Sequence, residues 1–375
     1  MVLTQHCNFR TVISQFAPNT TIGFPVSSQI DQQLTLATRT GASSNGVVVA
    51  VGSGSVMDLA KATTVMKQTT TAAAAAAAAT DDRSVQRPLL LVPATYGAVL
   101  AAASPHALLF DTSEQAIVVA ESPSSSSSPT IPTTTTTVAT LEAARMDPRG
   151  RSAAIYAALA LALDRLWQQQ GTANKDNNKA GASTLAGGDC GIELSSLLSI
   201  LCSNLSTDHP AQASQQQQHE QEQNHQHVVQ ALLSTGANLS FGRNGTQNRS
   251  IPLTLATSLV PQHFADHPCL TVMASLAPPL LELVLENPFS KALLEKALLL
   301  TVRSESNNHN HDEEPAIRTV AQLERVVTTG APRLVTNHSL DDLLAAVRDN
   351  QFLWNSYDVS EHILRRVLRD HVLLV

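Results

Sequence analysis

Residues 48–62 read VVAVGSGSVMDLAKA, and this stretch decides the fold. The run Gly46 to Val51 (GVVVAV) is short and β-branched, as a buried strand requires. The turn Gly52-Ser53-Gly54-Ser55 follows at once, and a helix is predicted over Met57 to Lys67. A strand that passes through glycine into a helix suits phosphate. Glycine lets the backbone turn tightly and come close to a ligand, and the first helical amides and the helix dipole face an anion. By itself such a turn is equally an ordinary strand-to-helix connection.

Working outward, Pro88 to Pro93 (PLLLVP) and Ala116 to Ala120 (AIVVA) read as further buried strands. Strand, helix, strand in this order predicts a parallel α/β unit. The second half reads as helical. Ala153 to Gln170 is a long apolar helix, and helices are predicted over Val228 to Leu239, Leu253 to Leu259, Leu276 to Leu285, Lys291 to Val302, Val320 to Val327, Leu340 to Arg348 and Ser360 to Leu374. The expected organisation is an α/β domain over 1–150 and an all-α domain over 151–375. Low-complexity inserts at 72–79, 122–137, 213–227 and 304–314 interrupt both. The Ser, Thr and Gln-rich ones cannot bury enough apolar surface to order themselves.

The chain has 375 residues with 24 Lys plus Arg and 31 Asp plus Glu, a formal charge of −7. That acidic balance lacks the basic face of a nucleic-acid binder. No apolar run approaches the 18 or so residues of a membrane helix, so no span is expected. Met1 to Arg10 has no apolar signal-peptide core. Cys7, Cys190, Cys202 and Cys269 are widely spaced and read as free thiols in a reducing compartment, so a cytoplasmic location is expected. No Gly-x-Ser-x-Gly elbow supports hydrolase chemistry.

Strand-GSGS-x-x-Asp-x-Ala-Lys resembles the GGGS-x-x-D-x-x-K fingerprint of the iron-type alcohol dehydrogenase and dehydroquinate synthase-like superfamily, with Ser53 in place of the second glycine. The resemblance implies that Gly52, Ser53, Gly54 and Ser55 cradle the pyrophosphate of NAD or NADP, with Asp58 and Lys61 at the motif's acidic and basic positions. Leu91-Val92-Pro93-Ala94-Thr95-Tyr96-Gly97 is similar to the family's second cofactor-facing turn, which adds Thr95 and Tyr96. Its tyrosine, and the similarity of Asn350 to Glu361 (NQFLWNSYDVSE, sharpest at Trp354-Asn355) to the family's tail, point to the maleylacetate reductase branch. The family places a further strand and helix before the loop. With 51 residues ahead of Gly52, a truncated start and a sheet short of strands, with an exposed edge, are expected.

Iron-type members hold a divalent metal, iron or zinc, with an Asp, a His one helical turn later and two further histidines. Aligned on Tyr156 to Trp167 (YAALALALDRLW), these positions fall on Ala157, Leu161 and, near the third, Leu253. His267, in Asp266-His267-Pro268, alone retains a ligand type and is the one candidate catalytic and metal residue, with His263 a turn earlier. No stoichiometric iron or zinc is therefore expected here. His219, His225, His227, His309 and His311 read as solvated, and Arg365, Arg366 and Arg369 as a solvated helix face. The resemblance implies an oxidoreductase acting on a small alcohol, aldehyde or keto acid, with a small-molecule substrate in a cleft between the domains. A homodimer is an assembly this reading allows. A degenerate member that keeps the fold and loop without the chemistry is the alternative.

Overall fold

The computed structural model describes residues 2–4, 22–23, 48–61, 88–104, 106–110, 116–120, 136–141, 146–147, 150–168, 194–195, 197–198, 200, 215–237, 250–263, 269–306, 317, 319–349, 361–369 and 372–374. The chain divides into two compact units, Met1–Arg149 and Gly150–Val375.

In the first unit, strands β1 (Val2–Thr4), β2 (Ile22–Gly23), β3 (Val48–Gly52), β4 (Leu89–Pro93) and β7 (Thr136–Val138) form a five-stranded sheet in the order β2-β1-β3-β4-β7. Every neighbouring pair is parallel. Helix α1 is described over 54–61, and α2 spans Tyr96–Ala103. Val48, Ala50, Leu89 and Leu91 pack against Val56, Met57 and Ala60 of α1 and Ala98 and Ala102 of α2. These strand residues alternate along β3 and β4 and so share one face of the sheet, while Val49, Leu90 and Val92 on the other face are half-buried.

Three expectations for this unit are corrected. The sheet expected to be short of strands carries β1 and β2 ahead of β3, with Thr4 of β1 opposite Val51. The strands β1 and β2 are too short to announce themselves in sequence. The run Ala116–Ala120 (β6) is a strand but lies outside the parallel sheet, pairing antiparallel with β5 (His106–Phe110). The end of the threonine run, assigned to an insert, enters the sheet as β7, consistent with the high strand preference of threonine.

The second unit is built on α3 (Arg151–Gln168), buried without interruption from Ala154 to Asp164. A helix apolar all round belongs in a core. Around it pack α4 (Gln215–Ala237), α5 (Ile251–His263), α6 (Cys269–Ser275), α7 (Ala277–Glu286) and α8 (Pro288–Ser306). Then come α9 (Val320–Gly330), β8 (Leu334–Thr336), α10 (Leu340–Asp349), α11 (Glu361–Arg369) and β9 (Val372–Leu374). A capping box between Thr319 and Gln322 starts α9. A similar reciprocal pair, Ser339 and Asp342, starts α10.

This unit is not purely helical: β8 and β9 pair in parallel, so the predicted terminal helix gives way to a strand at Val372. The Gln/His tract from 215 to 227 is not a structureless insert. Glutamine and glutamate are good helix formers, and α4 runs through it, burying His225 to 3% exposure. The segment Cys269–Glu286 does reach the length and apolarity of a membrane-crossing helix, contrary to expectation, but 67% of it is buried. A turn at Leu276 divides it into α6 and α7, both packed on α3, which accounts for its apolarity as core.

Candidate dinucleotide loop and the α3 face

The strand order reverses direction between β1 and β3, since β2 lies to one side of β1 and β3 to the other. In open α/β sheets ligands settle at the carboxyl ends of strands beside such a switch point. Gly52 ends β3 there. Its φ of +151° favours glycine, and its carbonyl accepts the Ala94 amide at 2.8 Å, tying it to the end of β4.

Ser53 opens α1, its carbonyl accepting the amides of Val56 and Met57 at 3.1 and 3.2 Å. Ser55, in the first turn, is exposed. Thr95 caps α2, accepting the Ala98 amide on its side chain at 3.2 Å, and Tyr96 is buried as the first residue of α2. Two helix N-termini therefore follow adjacent parallel strands at the carboxyl end of the sheet, and the positive ends of both dipoles favour an anion there. The sequence-assigned Gly52, Ser53, Gly54, Ser55, Thr95 and Tyr96 all lie at this end.

Asp58 and Lys61 lie further along α1. Lys61 is 8% exposed. Its ammonium donates to the carbonyls of Ala101 at 2.5 Å and Ser104 at 3.0 Å and pairs with Asp58 at 3.3 Å. Gly54 lies on the same stripe of α1, where an added Cβ would stand 3.4 Å from the Ala101 methyl.

In the second unit, Ala157 and Leu161 are buried on α3, and Leu253 is buried in the first turn of α5. Methyl and isobutyl groups offer no lone pair, so these three positions do not fit a divalent ion. Among the described residues, no three His, Cys, Asp or Glu side chains gather as a metal set. His267 and Trp354-Asn355 lie outside the described residues, and of His263 only the helical backbone is described.

Asp164 is the residue that sequence reasoning missed. It follows Leu161 by three positions and Ala157 by seven, so the three share one face of α3. It is 2% exposed. Its carboxylate accepts the Ile251 amide at 2.9 Å and the Gln168 amide group at 2.9 Å. Burial pushes its pKa up to about 7, while the hydrogen bonds from Ile251 and Gln168 pull the other way. The signal was present in sequence: one acid in the otherwise apolar stretch Ala153 to Leu163-Asp164. Nearby, Tyr156 is buried, its hydroxyl pKa raised by desolvation. Arg365 pairs with Asp341 at 2.8 Å and Glu361 at 3.5 Å, and Arg366 with Glu286. These pairs are solvent-exposed, with the Arg365 side chain 42% and its partner Asp341 78% accessible, so the cations lie on a solvated helix face as expected.

A parallel sheet with a glycine turn at its switch point in one unit, and a mostly helical second unit, define a two-unit α/β class of fold. Within that class the fold is similar to that of maleylacetate reductases and iron-containing alcohol dehydrogenases of known structure. The chain is similar to maleylacetate reductases from Rhizobium sp. strain MTP-10005 (14% identity, TM-score 0.61, 99% of this chain and 88% of that one) and Agrobacterium tumefaciens (15%, 0.61, 99% and 88%). It is also similar to an iron-containing alcohol dehydrogenase from Thermotoga maritima (13%, 0.59, 98% and 90%). No protein-family profile matches the chain, and no curated protein sequence matches it significantly.

Proposed function

We propose that the turn Gly52 to Ser55 binds the pyrophosphate of NAD or NADP, and that the chain is an oxidoreductase acting on a small alcohol, aldehyde or keto acid. The observation that carries this reading is the position of the turn at the strand-order reversal, with two helix N-termini at the same end of the sheet. Gly52 and Gly54 permit close backbone approach, the first amides of α1 face the anion, and Thr95 and Tyr96 flank it at the next strand. The dinucleotide, when bound, supplies hydride transfer. The chain's own residues hold it through its phosphates.

A second reading is favoured by a specific observation. Ala157, Leu161 and Leu253 are buried and apolar where the similar enzyme class places polar groups. Without a donor near the developing alkoxide, turnover falls by roughly 10²–10³ for each stabiliser lost. The chain is then a dinucleotide binder without chemistry. Fluorescence titration with NADH and NADPH, followed by assays on short aldehydes and keto acids including maleylacetate, separates the readings. Binding with turnover supports the first and binding alone the second. Absence of binding by the folded protein overturns both.

A further inference from the structure

We infer that Asp58 and Lys61 act as a positioning pair, setting the loop through α2, and do not contact phosphate. This rests on the dinucleotide reading for its functional consequence, though its structural part stands apart from it. An ammonium has three N–H donors and no acceptor. Those of Lys61 have three acceptors within reach: the Ala101 carbonyl, the Ser104 carbonyl and the Asp58 carboxylate.

Both carbonyls belong to the C-terminal end of α2, where helical carbonyls lack intrahelical partners and the dipole favours a cation. Burial makes the arrangement stringent, because an unpaired ammonium there would be strongly destabilising. Gly54, Asp58 and Lys61 fall at i, i+4 and i+7, one stripe of α1. Two of them meet the same residue: Gly54 brings α1 close to the Ala101 methyl, and Lys61 grips the Ala101 carbonyl. The spacing of the motif is thus the spacing of a helix face. It locks the helix that carries the loop onto the helix that begins with Thr95 and Tyr96.

The test uses the full chain and Lys61→Met, which keeps the apolar stem and removes the donors. In the free protein, hydrogen exchange of the Val56 and Met57 amides, both bonded to the Ser53 carbonyl, is expected to quicken at least tenfold, with α3 unchanged. At a temperature where both proteins are fully folded, NADH and NADPH affinity is expected to weaken by about tenfold, the worth of one charge-assisted hydrogen bond. Its salt dependence should match wild type, because the lost charge does not face the phosphates. A shallower salt dependence would place Lys61 on the phosphate and overturn the inference. Unchanged exchange would overturn it too, as would a lowered melting temperature with unchanged affinity, which is what a merely structural lysine gives. Quickened exchange in a protein whose wild type binds neither nucleotide would remove the dinucleotide reading and leave the loop-positioning role standing.

Discussion

The carboxylate of Asp164, on α3, accepts the amide of Ile251, the first residue of α5, at 2.9 Å across 87 residues of sequence. A helix N-terminus is usually capped by its own chain one to three residues away. Here Asp164 does so from the core, and full burial raises its pKa to about 7 against an ordinary 3.8. Between those two values the native state holds a proton that the unfolded state has released. The contribution of Asp164 to stability is therefore greatest below about pH 4, falls as pH rises to about 7, and is flat above, at roughly 1.4 kcal/mol per pH unit inside the window. Asp164→Asn should remove this slope. Urea denaturation at pH 5 and pH 8 should show the variant gaining on wild type at the higher pH. Parallel pH profiles would refute the assignment.

The loop can be probed without disturbing packing. Ser55 is exposed in the first turn of α1, where a carboxylate favours the helix dipole by about 0.3–1 kcal/mol. Ser55→Glu should hold or raise the melting temperature while weakening NADH and NADPH binding through repulsion of the phosphates. Gly54→Val should abolish binding as well, but with a loss of stability, because its side chain meets Ala101. Equal nucleotide affinity in wild type and both variants, by fluorescence titration, is the outcome that sinks the loop assignment.

Gly330 ends α9 beneath Tyr156. A Cβ there would come to 2.0 Å from the Tyr156 hydroxyl oxygen and 2.9 Å from its ring carbon. The ring is buried, its hydroxyl donating to the Val326 carbonyl at 3.5 Å, so it has little room to yield. Gly330→Ala should cost roughly 1–3 kcal/mol as an overpacking change. Adding Tyr156→Phe should recover part of it. A double-mutant cycle with no coupling would show that the two sites relax independently.

Metal content follows from side-chain chemistry. With Ala157, Leu161 and Leu253 at the ligand positions, purified protein should hold well under one equivalent of iron or zinc after mild chelation. Elemental analysis on the full chain checks this. A full equivalent that survives would mean that ligands lie elsewhere in the chain.

The sequence by itself determined the elements that are locally self-consistent. The apolar runs at Val48 and Leu89, the glycine turn and the long apolar helix around Ala157 were all legible, because each signal is carried by residues a few positions apart. So was the likeness of the loop to a known fingerprint. Tertiary structure decided what depends on partners distant in sequence. Ala116 to Ala120 reads as a parallel strand until His106 to Phe110 pairs with it the other way round. Val372 to Leu374 continues a helical pattern until β8 offers it a neighbour. Lys61 stands at the basic position of a cofactor-loop motif, and only the fold supplies the carbonyls of Ala101 and Ser104 that accept from its ammonium. Asp164 was visible as one acid in an apolar helix, but only the packing of α5 against α3 brings it the amide of Ile251. Periodicity and propensity act over one or two turns, whereas strand direction, burial and the satisfaction of a buried charge are set by whichever segment folds against it.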